Sequence, residues 1–90
     1  MHEIAYTREA KDRIEKLDIK KKRQIKEAIE RIAQDPNIGK RLLHEFSGLL
    51  SYRSGDYRII YRIYHNKVLV LILTIGHRKD IYKQLSRKLD

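Results

Sequence analysis

The chain has 90 residues, no cysteine, and 21 lysines and arginines against 12 acidic residues, which leaves a net charge of +9. This length suits a single domain, which we expect to span residues 1–90, and the lack of cysteine excludes disulfides, thiolate metal sites and cysteine nucleophiles. The positive charge favours a polyanionic partner, and although nucleic acid is the commonest one, an acidic protein or an anionic membrane surface would satisfy the same charge.

The first part of the chain predicts one strand followed by two helices. The stretch HEIAY, residues 2–6, alternates like a short strand, and Thr7 after it is a suitable helix N-cap. Asp18 caps a second helix, which ends at DPNIG, residues 35–39. Its apolar residues recur at helical spacing: Ile25, Ala28, Ile29, Ile32 and Ala33. The two helices form an αα-hairpin, and the basic run Lys20–Arg23 is interpreted as a solvated helix face.

The second part predicts a three-stranded antiparallel meander and a short helix. From Leu49 onward the apolar period is two, in LLSYRS, YRIIYRIY and KVLVLILTI, which are separated by the turns GD and HN. The last strand is apolar on both faces, so we expect it inside the sheet, with the helices on one side. Ile81, Leu85 and Leu89 predict a short amphipathic C-terminal helix. The predicted fold is α+β, with the order β-α-α-β-β-β and then that helix.

The sequence gives no sign of a membrane segment. The longest apolar run, Val68–Ile75, is too short to span a bilayer, and the first residues lack the order of a signal peptide. We therefore expect a cytoplasmic protein without a membrane partner.

The turn GD brings two arginines together. A two-residue loop there pairs Arg53 with Arg58 on one face of the sheet, with Cβ atoms roughly 5 Å apart. Like charges in this position are unfavourable unless an anion lies between them, and guanidinium groups match phosphate oxygens bidentately. The alternative is that both are ordinary exposed arginines paired with nearby acids.

The turn HN sets the predicted register of the last strand. Pairing Tyr64 with Lys67 places Arg58 opposite Leu73, so that the chain leaves the sheet at the end that holds the GD turn. We therefore expect Arg78 to join the other two arginines in a phosphate site.

Further residues extend this predicted site. Arg62 and Tyr64 lie on the same face further along the strand and are candidates for an RNA path, and Lys79 is a further phosphate-binding candidate. Tyr57 and Tyr61 alternate with the arginines, so we expect them to pack under the helices.

The motifs FSGLLSYRSGDYRIIYRI and VLVLILTIGHRKDIY resemble the RelE/ParE superfamily of toxins from type II toxin-antitoxin systems. The RelE-like branch is described as ribosome-dependent endoribonucleases that cut mRNA in the ribosomal A site, and the ParE-like branch acts on DNA gyrase. The resemblance implies active-site roles for Arg58, Arg78 and Tyr82, and a basic position for Arg53. It also implies a RelB-like antitoxin that forms a heterocomplex with the toxin.

The sequence departs from this family at the expected proton-transfer positions. RelE carries lysines on the strand before its GYR motif, and the corresponding residues here are Leu49 and Ser51. Histidine titrates near neutral pH, so His77 is the candidate for the missing acid or base, although a structural histidine is the commoner case. His44 and Glu45 are weaker candidates. The cleavage can be drawn as attack of the RNA 2′-hydroxyl on the adjacent phosphate, and we expect no metal or cofactor.

Three functions remain open at this point. The pairing of Tyr82 with a nearby arginine favours the mRNA endoribonuclease, because an aromatic side chain can stack on RNA. The missing lysines favour a ParE-like gyrase inhibitor that acts by protein binding. A catalytically weak toxin that acts with its antitoxin as a repressor is the third.

Overall fold

The computed structural model describes residues 1–89, with side chains through residue 87. In that part of the chain the elements are β1 (Glu3–Tyr6), α1 (Arg8–Glu15), α2 (Ile19–Gln34), β2 (Lys40–Arg41), β3 (Leu50–Ser54), β4 (Tyr57–Tyr64), β5 (Leu69–His77) and α3 (Ile81–Leu89). The sheet has the order β1-β5-β4-β3-β2, in which β1 is parallel to β5 and the other neighbours are antiparallel. The α+β prediction is confirmed. The two-residue strand β2 was not predicted, since it is too short for a periodic pattern.

Side-chain caps begin the first two helices, as predicted. The Thr7 hydroxyl accepts a hydrogen bond from the backbone N–H of Ala10 at 3.1 Å, and the Asp18 carboxylate accepts one from Lys21 at 2.9 Å. Both bonds satisfy N–H groups that have no partner within the helix. The α2 stripe is buried as expected.

The sheet carries a separate apolar cluster on each face. On one face, α1 and α2 cover a core that includes Leu50, Ile59, Tyr61, Ile72 and Ile75. On the other, Ile81 and Leu85 of α3 pack against Ile60. The prediction that helices cover one face was therefore incomplete, since α3 covers the second. The side chain of Leu89 lies outside the described residues, and none of the described helices is long and apolar enough to cross a membrane.

Residues of α1 and its N-cap bind backbone carbonyl groups of β5 that β1 does not reach. β1 pairs with only the first half of β5, so the carbonyl groups further along need other partners. The Thr7 hydroxyl donates to the carbonyl of Leu73 at 2.6 Å. The Arg13 guanidinium donates to the carbonyl of Ile75 at 3.4 Å. Arg13 also donates to Gln84 of α3 at 2.9 Å. Arg13 thus links the first helix to the last.

The connection between β4 and β5 differs from the predicted HN turn. Residues His65–Lys67 form a short 3₁₀ helix, and Val68 follows in the left-handed region at φ +52°. As a result Tyr64 lies opposite Leu69, and the predicted pairing of Tyr64 with Lys67 is wrong. The sequence offered no glycine or asparagine at the left-handed position to signal this loop.

A bulge changes the β4–β5 register a second time. The pairing shifts between Ile60 and Tyr61, and Arg58 lies opposite Gly76 instead of the predicted Leu73. A bulge leaves one residue of a strand without a direct partner, which period-two reasoning does not anticipate. The predicted β3–β4 register, including Arg53 opposite Arg58, is confirmed.

Tyr61 holds the segment that follows α2 against the sheet. Its hydroxyl donates to the carbonyl of Pro36 at 2.6 Å and accepts from the N–H of Gly39 at 3.0 Å. A Cβ atom at Gly39 would overlap this hydroxyl, so the close approach requires glycine. Burial raises the pKa of Tyr61 above its ordinary value of 10.0.

Replacing Val68 with glycine should stabilise the protein. A left-handed backbone costs an L-residue about 1–2 kcal/mol, and glycine avoids this cost at a small entropic loss. We expect Val68→Gly to raise the free energy of unfolding by up to about 1 kcal/mol in chemical denaturation. Lys67→Gly, in the preceding 3₁₀ helix, is the matched control and should not stabilise; equal gains would contradict the strain at Val68.

Tyr61→Phe should lower the free energy of unfolding by about 1–3 kcal/mol, because the buried carbonyl of Pro36 and the half-buried N–H of Gly39 lose their partner. The wild type should also lose stability above pH 10.0, where unfolded Tyr61 ionises while the folded residue, with its raised pKa, stays neutral. Chemical denaturation across this pH range should show a smaller alkaline loss in Tyr61→Phe. Tyr6, whose pKa burial also raises, accounts for a residual loss. Tyr64→Phe is the control and should resemble the wild type.

Candidate functional site

Three polar side chains meet on the α3 face of the sheet. Ser51 of β3 is buried, with 1% of its surface exposed. Its Oγ accepts a hydrogen bond from the Arg58 guanidinium at 3.1 Å and another from the Tyr82 hydroxyl at 3.3 Å. We call Ser51, Arg58 and Tyr82 the serine cluster. It joins β3, β4 and α3 through one hydroxyl group.

The sheet approaches α3 closely enough to hold Tyr82 in place. Gly76 lies beneath the helix, and a Cβ atom there would come within 2.7 Å of Ile81 and 3.1 Å of Gln84. The ring of Tyr82 lies 6.2 Å from that of Phe46, measured between centroids, at an interplanar angle of 35°. Both contacts fix the direction in which the Tyr82 hydroxyl points.

The three predicted arginines reach the same end of the sheet but have different partners. Arg53 and Arg58 lie directly opposite each other. Arg53 donates to the carbonyl of Gly55 at 3.0 Å, so it turns toward the GD turn. Arg78 lies 3.9 Å from the carboxylate of Asp56, and its backbone N–H donates to the Asp56 carbonyl at 2.7 Å. Among these three arginines, the described contacts join only Arg58 to Ser51.

The structure does not bring His77 to the serine cluster. His77 lies opposite Tyr57, whose ring packs against the core under α1 and α2. The two rings are 6.1 Å apart, so His77 faces away from Arg58. Its Nδ1 accepts a hydrogen bond from the backbone N–H of Lys79 at 3.3 Å. The acid or base role of His77 stays a prediction that this placement does not support.

The remaining predicted residues lie around the cluster. Arg62 is exposed on the Arg58 face, with its guanidinium 5.5 Å from the centre of the Tyr64 ring. Lys79 is exposed in the turn that follows β5. His44 and Glu45 are exposed in the short 3₁₀ helix before β3.

Sequence reasoning missed the structural role of Ser51. It treated Ser51 and Leu49 as positions that lack a lysine. In the structure Leu49 packs in the apolar cluster under α3, and Ser51 binds two of the predicted site residues. The sequence did contain a signal for this role. Ser51 stands two residues before Arg53, so the two side chains share a face of the strand.

The serine cluster can bind a phosphate and an adjacent base. A guanidinium group has five N–H donors, so its bond to Ser51 leaves others for anionic oxygens. Arg58 and Tyr82 are each half-buried, which leaves part of both accessible. The phenol ring of Tyr82 is a surface on which a nucleobase can stack.

The fold is that of small toxins from toxin-antitoxin pairs. The structure resembles a chain from the toxin-antitoxin complex RelBE2 of Mycobacterium tuberculosis, with a TM-score of 0.79 and 32% identity. The match covers 86% of this chain and 98% of that chain. It matches the isolated RelE toxin of E. coli with a TM-score of 0.74, over the full length of both chains, at 19% identity. The second likeness concerns the fold alone.

Sequence comparison supports the same class. The chain is 41% identical over 54 residues to the Toxin RelG of M. tuberculosis, which covers 59% of this chain and 62% of that relative's length. Residues 4–82 match the family model described as the ParE toxin of type II toxin-antitoxin systems, parDE. The chain therefore belongs to this toxin family, within the RelE/ParE superfamily that its motifs resemble.

A double-mutant cycle should detect the bond between Ser51 and Tyr82. Ser51→Ala should lower the free energy of unfolding by about 1–2 kcal/mol, since Arg58 and Tyr82 lose their acceptor. Combined with Tyr82→Phe, the two changes should be non-additive by at least about 0.5 kcal/mol in chemical denaturation. Ser54→Ala, on the opposite face of β3, is the control and should add to Tyr82→Phe without coupling. Additive effects in both cycles would contradict the serine cluster.

Proposed function

We propose that this toxin is a RelE-like, ribosome-dependent endoribonuclease that cleaves mRNA in the ribosomal A site. The serine cluster is the observation that carries the proposal, because it holds a cationic group and an aromatic group together on an accessible face. A gyrase-binding surface would not need a buried hydroxyl to fix the direction of both.

Each residue of the cluster has a role in the proposed reaction. The 2′-hydroxyl of the RNA attacks the adjacent phosphate, so the nucleophile belongs to the substrate and no cofactor is needed. Arg58 binds the phosphate and stabilises the additional negative charge of the transition state. Tyr82 stacks on the base or orients the 2′-hydroxyl, and Ser51 keeps the two side chains in place.

Residues outside the cluster guide the RNA. Arg53 and Arg78 lie at the GD end of the sheet, where they can bind the neighbouring phosphates. Arg62 and Lys79 are exposed and extend the basic surface along the path of the strand. The net charge of +9 adds a long-range attraction for RNA and for the ribosome.

The proposed partners are the ribosome, its mRNA and a RelB-like antitoxin, all in the cytoplasm. Two of the similar structures are described as RelBE toxin-antitoxin complexes, from M. tuberculosis and from E. coli. We infer that this toxin forms a comparable heterocomplex with a flexible, acidic and amphipathic antitoxin. The basic face and the apolar groove beside α1 and α2, where Ile14, Ile25 and Ile29 meet lysines, suit such a chain.

Gyrase inhibition is the second candidate function. Leu49 and Ser51 stand where RelE carries lysines, and the matching family model is described for ParE toxins. Neither side chain exchanges protons readily at neutral pH. The third candidate is a catalytically weak toxin that acts by binding, as a repressor together with its antitoxin.

Primer extension on translated mRNA tests the proposal directly. Purified protein and ribosomes should give cuts at the A site, and Arg58→Ala should reduce their rate by at least about 100-fold, because a charge-stabilising group is lost. Arg23→Ala is the control. It removes the same charge from the exposed face of α2, away from the cluster, and should cut like the wild type.

Growth arrest on expression separates the alternatives. If the wild type arrests growth but gives no A-site cuts, the endoribonuclease proposal fails, and a supercoiling assay then tests gyrase inhibition. If arrest is lost in both Arg58→Ala and Tyr82→Phe while both variants fold, chemistry at the serine cluster is favoured over docking.

A further inference from the structure

A lysine on the shortest strand lies beside the serine cluster. In the pairing of β2 with β3, Lys40 lies opposite Ser51 and Arg41 lies opposite Leu50. Residues directly opposite each other on neighbouring strands point to the same face, with Cβ atoms about 4.5–5.5 Å apart. Lys40 therefore leaves the sheet on the face that carries Ser51.

The neighbours of Lys40 support this direction. Leu42, two residues further on, packs in the apolar cluster under α3, and alternate residues of a strand share a face. Its backbone N–H donates to the carbonyl of Leu49 at 3.0 Å, which continues the pairing beyond β2. Arg41 points the other way and donates to Asn37 at 3.3 Å.

The backbone before Lys40 is held firmly. The Tyr61 hydroxyl binds both the carbonyl of Pro36 and the N–H of Gly39, the residue that precedes Lys40. This places the Cα of Lys40 on a fixed strand instead of a loose loop. The side chain itself is exposed, and its flexible four-carbon stem can bring the ammonium group toward a bound phosphate.

The proposed reaction needs a proton donor for the leaving group, whereas the Tyr82 hydroxyl of the serine cluster already donates to Ser51. The leaving 5′-oxygen must be protonated as its bond to phosphorus breaks, and an arginine does not release its proton at neutral pH. His77 lies on the other face of the sheet. Lys40 carries an ammonium group with three N–H donors and stands one strand away from Ser51.

We propose that Lys40 is a catalytic residue that donates the proton to the leaving 5′-oxygen. This inference rests on the endoribonuclease function proposed above. The 2′-oxygen bonds to phosphorus and the bond from phosphorus to the 5′-oxygen breaks, which gives a 2′,3′-cyclic phosphate and a 5′-hydroxyl. The 2′-hydroxyl proton passes to solvent, while Lys40 gives one proton to the 5′-oxygen and takes one back from solvent.

The two residues of β2 provide a matched pair of variants for the test. In single-turnover cleavage of mRNA on ribosomes, Lys40→Met should slow the reaction by at least about 100-fold, the usual contribution of a general acid. Arg41→Met loses the same charge on the opposite face and should cleave near the wild-type rate. Lys40→Arg keeps the charge but releases no proton, so it should restore binding to ribosomes and little of the rate.

A chemically altered substrate separates proton donation from structural effects. In an mRNA whose bridging 5′-oxygen is replaced by sulfur, the leaving thiolate needs no proton. Lys40→Met and the wild type should therefore cleave this substrate at similar rates, whereas Arg58→Ala should remain slow on both substrates.

The outcomes distinguish this inference from the function on which it rests. If Lys40→Met cleaves the normal substrate as fast as Arg41→Met while Arg58→Ala does not, Lys40 is not the donor, and the endoribonuclease function stands. A loss in Lys40→Met that sulfur does not rescue also overturns proton donation. If the wild type gives no cuts, the proposed function fails and the role of Lys40 fails with it.

Discussion

The close contact between α3 and the sheet is the constraint on which the candidate site depends. Gly76 has no side chain, and this lets Ile81 settle onto β5. With that contact made, the first turn of α3 carries Tyr82 over Ser51. The site residues belong to three separate elements, and one backbone approach determines whether they meet. A bulkier residue at Gly76 would displace the site without changing any of its members.

The serine cluster also shows how the sheet accommodates like charges. Arg53 and Arg58 face each other across adjacent strands, which is unfavourable for two cations. Each guanidinium group has a partner of its own, since Arg53 binds the carbonyl of Gly55 and Arg58 binds Ser51. The buried Ser51 oxygen accepts two hydrogen bonds, which offset part of the cost of burying a polar group. The arrangement leaves Arg58 pointed at the same place as Tyr82.

Much of the fold could be predicted because local chemistry determines it. Thr7 and Asp18 cap their helices, and the GD turn sets Arg53 against Arg58, all from signals within a few residues. The β4–β5 register could not be predicted in this way. Val68 adopts a backbone conformation that valine rarely takes, and the bulge in β5 opposite Ile60 and Tyr61 has no marker in the sequence.

The residues of the candidate site also differ in how far local sequence signals predict them. Arg58 and Tyr82 were predicted from their motifs, whereas the places of Ser51 and Lys40 depend on which residues lie across the strands. β2 has two residues and no periodic pattern, so nothing in the sequence assigned Lys40 to a face. The prediction for His77 rested on its proximity along the chain to Arg78, which does not determine the side of the sheet on which a ring lies, and its acid or base role stays a prediction.

The covering of the β5 edge by α1 has a consequence for the toxin in solution. β5 is rich in valine, leucine and isoleucine, and such a strand with a free edge is a template for aggregation. Thr7 and Arg13 occupy its carbonyl groups where β1 stops, and the opposite end of the sheet is the short, charged strand β2. The second half of the β5 edge is thus shielded against pairing with another copy of the protein even when no partner chain is bound.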